Sequence, residues 1–137
     1  MTLKVYLDSY CTAFNSRALD AAVSLFAEHA LFEMPLLGQR LVGRGEIAAG
    51  LRRMFDVTET ARIECGGFKE SDRALIAEGR LVAKLRRDPA PVAMPLAMTL
   101  EATDQKISRL SSYLDARPYR LWTDGPIFAA ASATSNR

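Results

Sequence analysis

Apolar residues in the first third of the chain recur at intervals of three and four. Leu3, Tyr6, Leu7, Tyr10 and Phe14 fall on one face of a helix that Asn15-Ser16 ends. Leu19, Ala22, Val23 and Phe26 repeat the pattern in a second helix, with Asp20 in its first turn, where the helix dipole favours an acid. Residues 30–35 read as a strand, and Pro35 with Gly38 supplies a turn. A tight turn at Gly43-Arg44-Gly45-Glu46 opens a third helix, whose apolar face is Ile47, Leu51, Met54 and Phe55.

From residue 61 the period changes to two. Ile63 and Cys65 alternate with Arg62 and Glu64, and Gly66-Gly67 predicts a bulge or sharp bend. Across 74–85, Leu75, Ala77, Gly79, Leu81, Ala83 and Leu85 form the more apolar face, opposite Ile76, Glu78, Arg80, Val82 and Lys84. Asp88-Pro89-Ala90-Pro91 is a turn signal that closes a hairpin. The next strand sets Val92, Met94, Leu96, Met98 and Leu100 against Ala93, Pro95, Ala97, Thr99 and Glu101. Pro95 there implies an irregular or edge position, because it has no N–H for a ladder. In a last strand, about 106–117, Leu110, Ser112 and Leu114 share one face while Arg109, Ser111 and Tyr113 share the other. Three helices followed by an antiparallel meander predict an α+β domain with its helices on one face of the sheet.

Composition narrows the class further. A chain of 137 residues fits one domain, taken as 1–120, with a C-terminal extension at 121–137. The extension is rich in Ala, Ser and Thr. Residues 131–137 at least are expected to be mobile, and Trp122, Ile127 and Phe128 are large enough to dock on something. Lys and Arg total 18 against 16 Asp and Glu, so charge does not point to nucleic acid or to a membrane surface. Cys11 and Cys65, the two cysteines, lack the spacing of a metal site or a disulfide framework. No signal peptide or spanning segment is evident, so the expectation is a cytoplasmic protein with reduced thiols.

Two helices leading into Phe26-Ala27-Glu28-His29-Ala30-Leu31-Phe32-Glu33-Met34-Pro35, then a third opening at Gly43-Arg44-Gly45-Glu46-Ile47, then strands: this order resembles the nuclear transport factor 2-like superfamily. That superfamily includes ketosteroid isomerase and the SnoaL-like polyketide cyclases. The resemblance covers about residues 3–117. It implies a cone-shaped, cystatin-like α+β fold, with three N-terminal helices packed on a strongly curved, mainly antiparallel sheet. The concave face of such a sheet holds a pocket. Strand alternation offers Phe32, Met34, Met94, Leu96 and Met98 as its lining, with Leu110, Ser112 and Leu114 from the last strand. The helices add Tyr10, Phe14, Phe26, Leu51, Met54 and Phe55. A lining this apolar and rich in methionine suits a small hydrophobic ligand. The alternative is that these side chains simply fill the core. The resemblance also implies a homodimer through the outer sheet surface, near Tyr113, Arg109 and Thr99.

In ketosteroid isomerases a helix-1 tyrosine donates to the developing oxyanion, and Tyr10 matches it. The general base is an aspartate immediately before a proline in the first strand, and here Met34 precedes Pro35. The second acid of the oxyanion hole falls near Met98. Methionine cannot accept a proton, and Glu33, one step along the strand, points to the other face. The chain therefore lacks that family's aspartate base. Limonene epoxide hydrolases need an Arg-x-Asp pair, whereas Arg80 is followed by Leu81-Val82.

Remaining chemistry is sparse. Glu78 and Arg80 share one strand face. They are useful in a pocket if that face is concave, and a solvated or interface pair if it is convex, which the alternation favours. His29, the one histidine, reads as a surface turn residue, and no metal-ligand set or cofactor motif is present. Gly43-Arg44-Gly45 is not a phosphate loop, since Ala48 stands at the third glycine position. The resulting expectation is a SnoaL-like protein that binds a small hydrophobic molecule. The alternative is an isomerase, cyclase or dehydratase acting on a polyketide- or steroid-like carbonyl compound, with Tyr10 and Glu78 as the catalytic candidates.

Overall fold

The structure, a computed structural model, describes residues 2–88 and 90–115. Its helices are α1 (Lys4–Asn15), α2 (Leu19–Ser24) and α3 (Gly43–Val57). Its strands are β1 (Phe26–Met34), β2 (Gln39–Val42), β3 (Thr58–Glu70), β4 (Leu75–Leu85), β5 (Val92–Thr103) and β6 (Lys106–Leu114). A 3-10 turn, Pro35–Leu37, joins β1 to β2 and ends at Gly38, whose φ of 68° a side chain would strain. The expected extension at 121–137 lies outside the described residues, as do Trp122, Ile127 and Phe128.

All six strands form one sheet in the order β2-β1-β6-β5-β4-β3. β1 runs parallel to β6, and every other neighbouring pair is antiparallel. The expectation of a cone with a strongly curved sheet is corrected here: the sheet is open and mixed, and is not strongly curled or closed. Two features explain the difference. β2, at one edge, has only four residues and lies at the far end of the order from β3. The centre is also regular, since β4 pairs with β5 from Leu75↔Leu100 to Ala83↔Val92 without a register shift. Bulges, which bend a strand, are confined to β1, to β3 and to one point between β5 and β6.

Local sequence accounts for most elements. α1 buries Leu7, Tyr10, Ala13 and Phe14 on its sheet-facing side. α2 is shorter than its periodicity suggested. It stops at Ser24, and Phe26 is instead the first, fully buried residue of β1. In β3 the register moves from Cys65↔Gly79 to Phe68↔Ala77, so Gly66-Gly67 is the predicted bulge. Gly79 opposite it has no room for a side chain: a Cβ would lie 2.9 Å from the Cys65 Cα and closer still to the Glu64 carbonyl oxygen. Pro95 lies on an interior strand rather than an edge. Its carbonyl faces β6 and accepts from the Asp115 N–H at 3.4 Å, just past the last β6 residue, so its missing N–H falls at the end of that ladder.

Two side chains fasten the helices to the sheet. Asn15 uses its amide like a short strand, donating to the Ile63 carbonyl at 3.0 Å and accepting from the Ile63 N–H at 2.8 Å. This pairs part of the open edge of β3. Arg17, at a φ of 57°, donates to the Phe55 and Thr58 carbonyls and lies over the Phe55 ring. It thereby caps carbonyls that the end of α3 leaves without helical partners.

Candidate functional site

Between the helices and the sheet lies a small cavity of about 40 Å³. α1 supplies Tyr10 and Phe14, α3 supplies Leu51 and Met54, and β1 supplies Phe32 and Met34. Ile63 of β3, Leu81 of β4, Leu96 of β5, and Ser112 and Leu114 of β6 complete the wall. The strands converge here because Ile63 pairs with Leu81 and Leu96 pairs with Leu114, which puts each pair on one face.

Nine of the fourteen residues expected to line a pocket are therefore on the cavity. The other five, Phe26, Phe55, Met94, Met98 and Leu110, are buried in the core around it. Phe26 packs edge-on against Tyr10 with ring centroids 5.9 Å apart, and Phe55 lies 5.4 Å from Phe14. Ile63 and Leu81 were not anticipated, although the apolar faces of their strands carried the signal.

The polar groups divide by face. Among the described residues, Tyr10 and Ser112 bring the only hydroxyls to the lining, and neither has a hydrogen-bond partner there. Burial, helped by the neighbouring Cys11, pushes the Tyr10 phenol well above its ordinary range. At neutral pH it is therefore a protonated donor. Gln39, the register partner of Met34, is buried on the same face, and its amide nitrogen is unpartnered among the described residues.

Glu33 points away, onto the outer face of the sheet. It accepts from Arg109 at 3.0 Å and from the buried Ser111 hydroxyl at 3.1 Å. Glu78 is exposed on that outer face too, and Arg80 there binds Glu64 at 2.7 Å. Neither Glu78 nor Arg80 reaches the cavity. His29 is exposed within the irregular part of β1, beside Glu28. No cluster of potential metal ligands occurs among the described residues.

The model of the SnoaL-like domain matches residues 7–110. The chain belongs to this family. It shares the nuclear transport factor 2-like fold with solved structures at low sequence identity. One is a protein with a ketosteroid isomerase-like fold from Catenulispora acidiphila, in complex with trimethylamine: 18% identity, 82% of this chain and 86% of that one, TM-score 0.75. A candidate polyketide cyclase from Xanthomonas campestris pv. campestris shows 20% identity over 88% and 95% of the two chains, TM-score 0.77. TerC, co-crystallised with polyporic acid, shows 14% identity over 89% and 98%, TM-score 0.75. No curated protein matches the sequence significantly. No described helix is long and apolar enough to cross a membrane.

The SnoaL-like cavity is chemically simple. Among the described residues, nine apolar side chains surround two hydroxyls, and no carboxylate or imidazole lines the cavity. Its volume suffices for a water or two. It is far below the roughly 300 Å³ at which ligand pockets begin. Met34 and Met54 are the unbranched, rotatable parts of the wall, and their movement is the least costly way to enlarge it.

Proposed function

We propose that this SnoaL-like protein binds a small hydrophobic molecule carrying one hydrogen-bond acceptor, such as a cyclic ketone, in the cavity between α1, α3 and the sheet. The observation that carries this reading is the pair of unpartnered hydroxyls, Tyr10 and Ser112, in an otherwise apolar wall. A ligand acceptor placed against this wall gains a hydrogen bond worth about 0.5–1.5 kcal/mol. The neutral phenol of Tyr10 is the donor, and Met34 and Met54 swing aside to make room. Proteins of this fold solved in complex with trimethylamine and co-crystallised with polyporic acid support ligand binding by such a domain.

Met34 stands where an isomerase needs its base, so the proposed role is binding rather than proton transfer. The reading includes a homodimer through the outer sheet face, where Ile76 and Tyr113 are exposed apolar side chains, and a cytoplasmic setting. A monomeric mass in light scattering defeats the dimer.

The test uses methionine methyl NMR on the full chain, titrated with a panel of cyclic ketones and quinones. Saturable shifts at Met34 and Met54 that exceed those at Met94 and Met98, and an affinity reduced about tenfold in Tyr10→Phe, are the expected result. Equal or absent shifts at all four overturn it. Product formation from any panel member would replace binding by catalysis.

A further inference from the structure

Cys11 on α1 and Cys65 on β3 are 54 positions apart in sequence, yet their Sγ atoms lie 3.9 Å apart. Both are free thiols. They sit midway along a seam held otherwise by non-covalent contacts. Asn15 binds the Ile63 backbone at one end. At the other, the Leu3 N–H donates to Glu70 at 3.0 Å and the Lys4 ammonium lies 4.9 Å from the Phe68 ring centre.

We propose that Cys11 and Cys65 form a reversible intramolecular disulfide that latches α1 to the open edge of the sheet, with a low-molecular-weight disulfide as oxidant. A disulfide needs its sulfurs about 2.05 Å apart, so they must approach by nearly 2 Å. The glycine pair at 66–67, directly after Cys65, is the part of β3 able to yield.

The two thiols have different roles. Cys65 is exposed and reacts first: its thiolate attacks the small disulfide, forms a mixed disulfide and releases one small thiol. Cys11 is held mostly out of solvent, and burial together with Cys65 pushes its thiol up to about 12, so it stays protonated until then. It then gives its proton to solvent and attacks the Cys65 sulfur. The mixed disulfide breaks and the second small thiol leaves. Two cysteines are oxidised and one small disulfide is reduced to two thiols.

The latch stands without the ligand-binding reading. Tyr10 and Ile63, beside the bridged residues, both line the cavity, so closure also holds its wall. Slower ligand exchange in the oxidised form is a consequence that rests on the binding reading and is measured separately.

The full chain is incubated with oxidised glutathione, then analysed by thiol titration, intact mass and non-reducing electrophoresis. Wild type is expected to lose both free thiols, lose the mass of two hydrogens and stay monomeric on the gel. Dithiothreitol reverses the change, and the oxidised form melts about 5–10 °C higher. Cys11→Ser instead stops at a glutathione adduct on Cys65. An adduct that persists on wild-type Cys65, a covalent dimer, or two unreacted thiols overturns the proposal. So does a bridged form that melts lower than the reduced one, since that bridge would distort the seam rather than latch it.

Discussion

Ser111 and Ser112 are neighbours on β6, and their fates separate the two faces of the sheet. Ser111 points to the outer face, where its buried hydroxyl donates to Glu33 within a network that Arg109 completes. Ser112 points to the helices, where its hydroxyl has no described partner and borders the cavity. The same contrast holds one strand away between Glu33 and Met34. Polar groups on the outer face satisfy one another and so serve stability. The buried Thr58 hydroxyl on the inner face donates to the Met54 carbonyl, but the two hydroxyls that line the cavity have no described partner and stay available to something else. A hydroxyl's value for recognition thus depends on what its neighbours leave undone.

The most severe way to break this contrast is to place a charge on the inner face. Met34→Asp restores an acid before Pro35 but buries it without a counter-ion, and should cost about 3 kcal/mol or more at neutral pH in urea unfolding. The cost should shrink as pH falls toward about 4, because the new carboxyl is raised in the folded state; below that it is neutral in both states and the charge component is gone.

Next, Ser111→Ala should destabilise by about 1–2 kcal/mol, since it strips a buried hydrogen bond from Glu33, while ligand affinity holds. Ser112→Ala should change stability by under about 0.5 kcal/mol and weaken ligand binding instead. Equal effects on stability would dissolve the distinction between the faces.

Alkaline unfolding sharpens it further. Tyr10 and Cys11 both have raised values in the folded state, each chiefly through burial. Each contributes stability that is complete below its unfolded value and is lost as pH rises toward the folded one. For Cys11 that window runs from 9.0 to about 12. The urea midpoint should fall above about pH 9, and less steeply in Tyr10→Phe or Cys11→Ser. The smallest effect is expected on the outer face. Arg80 and Glu64 are both well exposed, so Arg80→Ala should cost under about 0.5 kcal/mol, an effect that vanishes at high salt.

Much of the site was legible because alternation alone assigns faces. Met34, Leu96, Ser112 and Leu114 follow from counting by two along strands, and Tyr10, Phe14, Leu51 and Met54 from counting by three and four along helices. The count failed at Phe26, where a helical spacing continues by coincidence into a strand. It also could not separate lining from core: Met94 and Met98 share the face of Leu96 but are fully buried in the core and do not reach the cavity. Pro95 misled because strand order, rather than strand content, decides which ladder its missing N–H would have joined.

The amino-acid pattern by itself determined the three helices, five of the six strands, the bulge at Gly66-Gly67 and the face most side chains take, while it missed the short β2 and began β1 four residues late. Met34 in the place of the base is what the family resemblance added. The elements and faces depend on residues within a turn or two of one another. Tertiary structure alone decided that β1 lies parallel to β6, that the sheet stays open, that the cavity is only about 40 Å³, and that Cys11 meets Cys65. Each of these is a relation between segments distant in sequence. Packing, edge length and register set it, and no local period encodes them.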